Sequence, residues 1–276
     1  MTITHRIVYF SPAGTTRQVA EAIGDFLRDR GQSVSLLDLA RRQNPAASFV
    51  SDAQPFCLWL GSPVYCDHAV PLVEDFVRSL PATSGFAVPF VTWGAVTSGL
   101  ALPEMAACLT EPGFAVLGAA KVLAEHSSLW QSFQPLAAGR PNAGDLNRIE
   151  ALVESVLTKI ARGRTEILPA ERLDYLPPAL KAQSAAKSLA AIKAMQPLRA
   201  ADKNICTRCG ECVQICPVEA IRLDPFPVID DSCILCQQCT RHCPVGAYPY
   251  DGAAVETRIQ TMAKESAEAK ETGIFL

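Results

Sequence analysis

The sequence predicts an α/β protein in which a doubly wound, five-stranded parallel sheet is followed by a small C-terminal α+β domain. Three observations support this prediction. The first 160 or so residues alternate strand and helix patterns. One strand pattern, residues 56–60, is continuously apolar, as expected of a strand that is buried on both faces. Nearer the other end, two cysteine runs repeat the spacing C-x2-C-x2-C-x3-C-P, which is typical of a small module held by metal.

Strand and helix patterns alternate in a regular order along the first domain. The predicted strands cover residues 4–10, 34–37, 56–60, 87–91 and 114–123. The apolar stripes of the predicted helices cover residues 19–27, 72–80, 102–109 and 146–160. Because such sheets bind ligands at the carboxyl ends of their strands, we expect a functional site in the loops that follow the strands.

The loop after the first predicted strand has the composition of a phosphate cradle. It reads Ser-Pro-Ala-Gly-Thr-Thr over residues 11–16 and opens the first predicted helix. Hydroxyl groups, a glycine and a helix N-terminus together favour an anion, because backbone N–H groups converge on it. A plain helix-capping turn would use the same residue types, so this loop alone leaves both interpretations open.

Two further loops place aromatic side chains at the same edge of the predicted sheet. Residues 61–66 read Gly-Ser-Pro-Val-Tyr-Cys, and residues 92–95 read Thr-Trp-Gly-Ala. Aromatic and proline faces with nearby backbone hydrogen-bonding groups suit a flat, largely apolar ring. Tyr65 and Trp93 are therefore candidates for stacking on such a ring, with ordinary packing as the alternative.

On these three loops the chain resembles the flavodoxin family, over about residues 3–162. Flavodoxins bind FMN, so the resemblance implies FMN as a cofactor. The residues that it implies as FMN contacts are Ser11, Ala13, Gly14, Thr15, Thr16, Ser62, Pro63, Val64, Tyr65, Thr92, Trp93 and Gly94. Ala13 stands where the family usually has a hydroxyl. We therefore expect phosphate binding to be weaker, by roughly 1–2 kcal/mol for a charged acceptor.

Eight of the 11 cysteines form an internal repeat. The first run contains Cys206, Cys209, Cys212 and Cys216, and the second contains Cys233, Cys236, Cys239 and Cys243. Each cysteine of the second run follows its counterpart by the same offset, 233 − 206 = 27 for the first pair. Structural zinc would use four ligands in two C-x2-C pairs separated by a long gap, which this pattern does not fit.

The two runs resemble bacterial ferredoxins with two [4Fe-4S] clusters, over about residues 200–250. In that arrangement the fourth cysteine of each run ligates the other cluster. The resemblance therefore implies one cluster on Cys206, Cys209, Cys212 and Cys243, and another on Cys233, Cys236, Cys239 and Cys216. Crossed ligation would tie the two halves together, so the metal would supply much of the folding energy of this module.

Other residues with reactive side chains have plainer interpretations. The three remaining cysteines are most simply packed residues: Cys57, Cys66 and Cys108. Glu125 and His126 follow the fifth predicted strand. The alternatives for them are an acid/base pair near a flavin and ordinary loop residues. Residues 127–141 form a long connection, for which a lid, a docking surface and a packing shelf for the C-terminal domain are the alternatives.

These patterns divide the chain into four predicted parts. They are a sheet domain with FMN (1–163), a helical linker (164–199), a two-cluster domain (200–252) and a helical tail (253–276). The linker carries a narrow apolar stripe, Leu189, Ile192 and Met195, which Pro197 ends and which we expect to dock on one domain. The tail ends in an apolar segment, residues 274–276, for which the alternatives are packing on the ferredoxin or flavodoxin domain and a contact with a partner or within a homodimer.

The composition and the absence of targeting patterns narrow the class of function. A net charge of −3 is not the electrostatic footprint of a nucleic-acid-binding protein. No apolar run reaches the length of a membrane span, and no secretory-signal pattern is present. We therefore expect a cytoplasmic protein in a reducing setting, with an anaerobic or oxygen-sensitive lifestyle.

Together these features predict an electron-transfer protein that passes electrons between FMN and two [4Fe-4S] clusters. Its expected partners are redox proteins that act as electron donor and acceptor. The alternative is a flavin-dependent iron–sulfur reductase that acts on a small organic substrate. No G-x-G-x-x-G motif follows a predicted strand, so no nicotinamide-binding domain is expected. A redox sensor is a third hypothesis, but the chain has no evident output domain.

Overall fold

The central sheet of the first domain has the architecture that the sequence predicts. The computed structural model describes residues 3–40, 56–163, 166–195 and 198–276. The five parallel strands are β1 (Thr4–Tyr9), β2 (Ser33–Asp38), β3 (Phe56–Tyr65), β5 (Phe86–Trp93) and β7 (Ala119–Leu123). They lie in the order β2-β1-β3-β5-β7, and neighbouring strands are parallel. This order confirms the predicted doubly wound sheet, in which the direction of winding reverses between β1 and β3.

Helices cover both faces of this sheet. They are α1 (Thr15–Asp29), α2 (Pro71–Arg78), α3 (Ala101–Thr110) and α4 (Ala143–Arg162). Helices α1 and α4 share one buried cluster with Ile7 and Trp59, whereas α2 and α3 share another with Val8 and Leu58. Because neighbouring residues of a strand point to opposite faces, each strand contributes to both cores. A two-residue strand, β4 (His68–Ala69), folds back on the end of β3.

The sheet edge beyond β5 departs from the prediction. The single strand expected over residues 114–123 is divided into β6 (Ala115–Val116) and β7. The division falls at Gly118, where a Cβ would lie 2.9 Å from Leu152 Cδ1, so backbone and helix approach closely. The end of the chain then adds β10 (Gly273–Phe275), which pairs antiparallel with β7. The apolar tail thus packs on the first domain and covers an open sheet edge.

The linker packs on the first domain at its start and is exposed at its end. Its described elements are a 3-10 turn at Ala170–Leu173, α5 (Pro178–Ala185) and α6 (Leu189–Met195). Leu173 is buried in the core of the first domain and Leu189 packs against that core, whereas Met195 is 71% exposed. The predicted apolar stripe therefore docks only in part. Pro197, its predicted end, lies outside the described residues.

His68 attaches the linker to the first domain through hydrogen bonds. Its Nε2 lies 3.1 Å from the Ser184 carbonyl oxygen and 2.9 Å from that of Lys187, so Nε2 donates to them. Its Nδ1 lies 3.0 Å from the Glu104 carboxylate. Burial is the largest single influence and opposes a charge on the ring, but the hydrogen bond and charge of Glu104 and the two backbone carbonyls together outweigh it and raise the pKa of His68. The linker therefore leaves the first domain in a defined direction.

The cysteine-rich domain folds as two matching halves. Its described elements, with the helix that follows it, are α7 (Glu211–Ile215), β8 (Ile221–Asp224), β9 (Phe226–Ile229), α8 (Gln238–Arg241) and α9 (Gly252–Glu265). Positive φ angles recur 27 residues apart, at Arg208 and Leu235 (59° and 58°) and at Glu219 and Gly246 (54° and 63°). The repeat in the sequence is therefore also a repeat of backbone shape. None of the described helices is long and apolar enough to cross a membrane.

The connection at residues 127–141 packs against the C-terminal part of the chain. The Trp130 ring stacks on Tyr250, with ring centroids 4.2 Å apart. The Ser132 hydroxyl donates to the Glu256 carboxylate on α9 at 2.7 Å. Of the three roles considered for this connection, these contacts favour a packing shelf for the C-terminal domain.

Candidate cofactor sites

A cleft opens at the carboxyl ends of the sheet strands, where the loops after β1, β3, β5 and β7 meet. It contains about 400 Å³ of empty space, part of it open to solvent. Its wall is formed by Ser11, Pro12, Ala13, Thr15, Thr16, Pro63, Val64, Tyr65, Thr92, Trp93, Gly94, Ala124, Glu125, His126 and Ser127. The three loops selected from the sequence thus line a single cleft, next to the point where the strand order reverses.

Two residues selected from the sequence lie off this wall. Gly14 is the N-cap of α1 and acts through the backbone. Ser62 is fully buried, and its hydroxyl accepts a hydrogen bond from the Val70 N–H at 3.1 Å, which shapes the turn after β3. Conversely, the loop after β7 contributes more of the wall than the sequence indicated. Because this loop follows a parallel strand, the sequence could have indicated that it lines the cleft, but only Glu125 and His126 were candidates in it.

The start of α1 has the features of an anion site. Gly14 precedes the helix with a φ of 99°, which glycine adopts without strain. Ser11 Oγ accepts from the Arg17 N–H at 2.9 Å, so its own hydrogen can be donated to a ligand. Thr16 Oγ1 and Thr92 Oγ1 lie 2.7 Å apart and join two of the loops. These hydroxyls and the helix N–H groups fit a phosphate, with one hydroxyl fewer than the flavodoxin pattern.

His126 packs directly over Gly94 at the other end of the cleft. A Cβ on Gly94 would lie 2.7 Å from His126 Cδ2, so a larger residue would displace the ring. His126 Nδ1 accepts from the Ser128 N–H at 3.2 Å, which assigns the ring hydrogen to Nε2. Burial lowers the pKa of His126 to about 4. At neutral pH the ring is therefore an uncharged hydrogen-bond donor on the cleft wall.

The two aromatic candidates occupy different environments. Trp93 is 1% exposed and packs with Leu123, and Lys121 Nζ lies 5.0 Å from its ring centroid. Its Nε1 is buried and has no hydrogen-bond partner within the described residues. An unpaired buried donor costs about 1–3 kcal/mol, so this N–H fits a site in which a ligand supplies the acceptor. Tyr65 is partly exposed and lies on the cleft wall.

A buried ion pair supports the Trp93 loop from behind. Lys121 Nζ lies 2.6 Å from Glu268 Oε1, and both side chains are more than nine-tenths buried. Glu268 also accepts from the Ser98 N–H at 2.7 Å and from the Thr97 hydroxyl at 2.9 Å. Glu268 belongs to the C-terminal tail, so the tail helps to hold a loop of the cleft. No local sequence pattern marks Glu268, which is why sequence reasoning missed it.

Four thiols surround one cavity in the cysteine-rich domain. They are those of Cys206, Cys209, Cys212 and Cys243, and we call this group the first cysteine site. Cys209 is exposed, whereas Cys212 is buried. The Ala247 N–H donates to Cys243 Sγ at 3.3 Å. The cavity is also lined by Tyr248. This grouping is the crossed set that the sequence implies, and ligation of a cluster by it stays a prediction.

The other four thiols form the second cysteine site. They are those of Cys216, Cys233, Cys236 and Cys239, which are close enough to influence one another's pKa. Burial raises the pKa of Cys236 to about 12 and that of Cys239 to about 11. Thiols buried to this degree ionise only beside a cation, and iron would supply that charge. Within the described residues, no three potential ligands converge closely enough to hold a single metal ion.

The second cysteine site borders the cleft. Ile234 is buried with core residues of the first domain, and Val64, Tyr65 and Cys236 pack against the same core. Tyr65 and Ile234 also line a common crevice. Burial is the main cause of the raised pKa of Tyr65, and the neighbouring Cys236 is the next cause. Tyr65 therefore lies on the cleft wall and beside the second cysteine site at once.

Comparisons with known proteins gave a family match for the cysteine-rich part of the chain and distant structural neighbours for the first domain. Residues 205–247 match a family model described as a 4Fe-4S dicluster domain. A search of curated protein sequences gave no significant match. A solved flavodoxin from the domain Archaea is 19% identical over 58% of this chain and 99% of its own, with a TM-score of 0.44. Flavodoxin 1 from Bacillus cereus is 17% identical over 56% of this chain and 97% of its own, with a TM-score of 0.45.

A larger redox protein also contains a similar region. The rubredoxin oxygen:oxidoreductase from the anaerobe Desulfovibrio gigas is 20% identical over 58% of this chain, with a TM-score of 0.46. The alignment spans only 37% of that protein's length.

The sheet order and the family match define the class of protein. A flavodoxin-like α/β domain is followed by a ferredoxin-type domain of the 4Fe-4S dicluster kind. The 4Fe-4S dicluster match supports an electron-transfer role that uses iron–sulfur cofactors. Proteins of this kind exchange electrons with redox partners.

Proposed function

We propose that this protein passes electrons between FMN in the cleft and two [4Fe-4S] clusters, and on to redox partner proteins. Bound FMN can hold one or two electrons and each cluster exchanges one, so the combination links two-electron to one-electron chemistry. The residues of this chain bind these groups, orient them and exclude water.

The cleft wall would hold FMN through three kinds of contact. The N–H groups at the start of α1 and the hydroxyls of Ser11 and Thr16 would bind the phosphate. His126 offers a neutral N–H donor, and its close approach over Gly94 closes one side of the cleft. Tyr65 offers an aromatic surface.

The eight repeated cysteines would hold the clusters. The first cysteine site would bind one cluster and the second cysteine site the other, so the ligands of each cluster come from both runs. Backbone N–H groups already point at the sulfurs of Cys216 and Cys243, from Ala220 and Ala247, each at 3.3 Å. Such hydrogen bonds stabilise the negative charge of a thiolate ligand.

One observation carries the proposal: Tyr65 is shared by the wall of the cleft and the surroundings of the second cysteine site. Val64 and Ile234 pack in the same apolar core, so apolar side chains form part of this boundary. The first cysteine site, in contrast, reaches the surface at Cys209, where a partner can approach. A route from the cleft through the second site to the first, and then to a partner, follows from this order.

Stepwise anaerobic reduction of the purified chain, followed by absorption and EPR spectroscopy, tests the proposal. We expect the signals of one flavin and two [4Fe-4S] clusters in each chain. A chain that binds iron and sulfide but no flavin would contradict the FMN part. A chain with one cluster would contradict the assignment of two cysteine sites.

The reductase alternative is favoured by a different observation. Glu125 and the neutral His126 line the cleft, where the Glu125 carboxyl group could exchange a proton with a substrate that is being reduced and the His126 N–H could donate a hydrogen bond to it. Turnover of a small organic substrate by photoreduced protein, without any partner protein, would favour the reductase. Reduction that proceeds only after a redox partner protein is added would favour the carrier.

A further inference from the structure

The hydroxyl of Tyr248 is buried beside Cys212 without a well-aligned hydrogen bond. Tyr248 is 3% exposed, and its hydroxyl forms no hydrogen bond within the part of the chain that the structure describes. The side chain lines the cavity of the first cysteine site, together with Cys212. Tyr248 and Cys212 also belong to one buried cluster, and the hydroxyl is within reach of the Cys212 sulfur. Because unpaired buried donors are rare and costly, we expect this hydroxyl to find an acceptor in the cavity.

The internal repeat shows that this hydroxyl distinguishes the two sites. Ala220 and Ala247 occupy equivalent positions, and each donates its N–H to the neighbouring cysteine sulfur at 3.3 Å. The position equivalent to Tyr248 is Ile221, because 248 − 27 = 221. Ile221 is also buried, but its side chain has no hydrogen-bond donor. The backbone donors are therefore matched between the two halves, whereas the side-chain donors differ. Tyr248 has no counterpart beside the second cysteine site, where the Thr240 hydroxyl hydrogen-bonds Cys239 instead.

We propose that the Tyr248 hydroxyl donates a hydrogen bond to the Cys212 sulfur of the cluster at the first cysteine site, and that this bond raises the reduction potential of the first cluster. The inference rests on the proposed function, because it requires both clusters. Reduction adds negative charge to a cluster, and a donor aimed at a ligand sulfur stabilises that charge. Hydrogen bonds to the sulfurs are among the factors that set the potential of such clusters.

The asymmetry gives the proposed route a direction. The second cysteine site borders the cleft at Tyr65, and the first reaches the surface at Cys209. A first cluster of higher potential makes transfer from the cleft side to the surface favourable. Tyr248 is then a positioning residue, which affects the exit of electrons through the cluster and not through contact with a partner.

The substitution Tyr248→Phe tests the inference, because it removes the hydroxyl and keeps the ring. The full chain is reconstituted with iron and sulfide and titrated by potential under EPR observation. At a fixed potential, we expect the reduced-to-oxidised ratio of one cluster to fall about tenfold, which is 59 mV for a one-electron couple. Tyr250→Phe is the matched control, since that hydroxyl bonds the Ser128 carbonyl outside both cysteine sites, and both potentials should stay unchanged.

The outcomes separate this inference from the proposed function. Unchanged potentials in Y248F, with about eight irons still bound per chain, would overturn the inference alone. An unmodified chain that binds no clusters would overturn the proposed function. Loss of iron from Y248F only would make Tyr248 a residue that retains the cluster, which also contradicts the inference.

A second measurement needs no substitution. The chain is produced with 3-fluorotyrosine in place of tyrosine, and its more acidic hydroxyl is a stronger hydrogen-bond donor. The cluster whose potential falls in Y248F should then become easier to reduce. If that cluster keeps its potential, the proposed hydrogen bond does not exist.

Discussion

The two domains differ in what holds them together. In the first domain, the sheet separates two apolar cores that contain fully buried side chains such as Ile7, Trp59 and Leu102. In the cysteine-rich domain, the buried cluster is small, and Cys212 and Cys216 are part of it. The side chains that would bind metal are therefore themselves core residues of that domain.

Because of this difference, the cofactors of the two domains should contribute differently to the stability of the fold. Burial of apolar surface can stabilise a domain the size of the first one without any ligand. A module of about 50 residues with so small a core depends on metal for its stability. FMN should therefore be removable from a folded protein, whereas iron should not be removable from a folded cysteine-rich domain.

Removal of iron should have the largest effect, and it should be confined to one domain. Anaerobic chelation is expected to abolish the protection of amide hydrogens over residues 205–247, because the small core cannot persist without its metal. Residues 56–163 should keep their protection. Hydrogen exchange followed by mass spectrometry measures both regions in one sample. If residues 205–247 kept their protection without iron, the cysteine-rich domain would be stable without its metal, and the two domains would not differ in this respect.

Loss of the buried carboxylate should have the next largest effect, within the first domain. Glu268→Ala leaves Lys121 buried without its partner and is expected to lower the free energy of unfolding by about 3–5 kcal/mol. Urea unfolding measures this loss. The double replacement K121M/E268L should recover much of it. Arg78→Ala is the surface control, because that ion pair is exposed to solvent at Arg78 and is expected to contribute little to stability.

A buried histidine should make the first domain sensitive to acid. His5 is fully buried, its Nδ1 accepts from Trp59 Nε1–H at 3.1 Å, and burial lowers its pKa from 6.5 to about 4. The unfolded chain therefore binds this proton at higher pH than the folded chain. The stability is fully present above pH 6.5, is lost as the pH falls towards 4, and should drop there by about 3 kcal/mol.

Urea unfolding at a series of pH values measures this dependence. His5→Gln keeps a polar side chain at the site and should flatten the profile between pH 6.5 and 4. His242→Gln removes an exposed histidine and should leave the profile unchanged. An equally steep profile in H5Q would show that another group causes the acid sensitivity.

Changes in the phosphate loop should have the smallest effects, and they should leave iron binding unaltered. Ser11→Ala removes the hydroxyl that accepts from Arg17 N–H, so FMN affinity should fall about fivefold, or roughly 1 kcal/mol. Ala13→Thr restores the hydroxyl of the family pattern and should increase the affinity by a similar or larger factor. Quenching of flavin fluorescence gives both dissociation constants. Equal affinities in the two variants would argue against phosphate binding at this loop.

Features with a strong local pattern were predictable from the sequence. The apolar run at 56–60 and the helical stripe at 19–27 became β3 and α1, at the centre of the sheet and on its face. The loops that follow parallel strands were predictable as a group, because topology alone places them at one edge. The resemblance to two-cluster ferredoxins implied the crossed grouping of the thiols, and their ligation of clusters stays a prediction.

Features that depend on distant contacts were not predictable. Glu268 meets Lys121 across 147 positions of the chain, and neither residue lies in a pattern that predicts a buried pair. Strand β10 has three residues, too few to show a period. The proximity of Tyr65 to Cys236 depends on how the domains pack, which sequence spacing does not encode.

The proposed electron route depends on the wall at Tyr65, which the cleft and the second cysteine site share. Flash photoreduction of the flavin in the full chain, with cluster reduction followed optically, tests it most directly. We expect cluster reduction with a first-order rate that does not change with protein concentration. A rate that rises in proportion to protein concentration would mean that electrons pass between molecules, and would contradict the account.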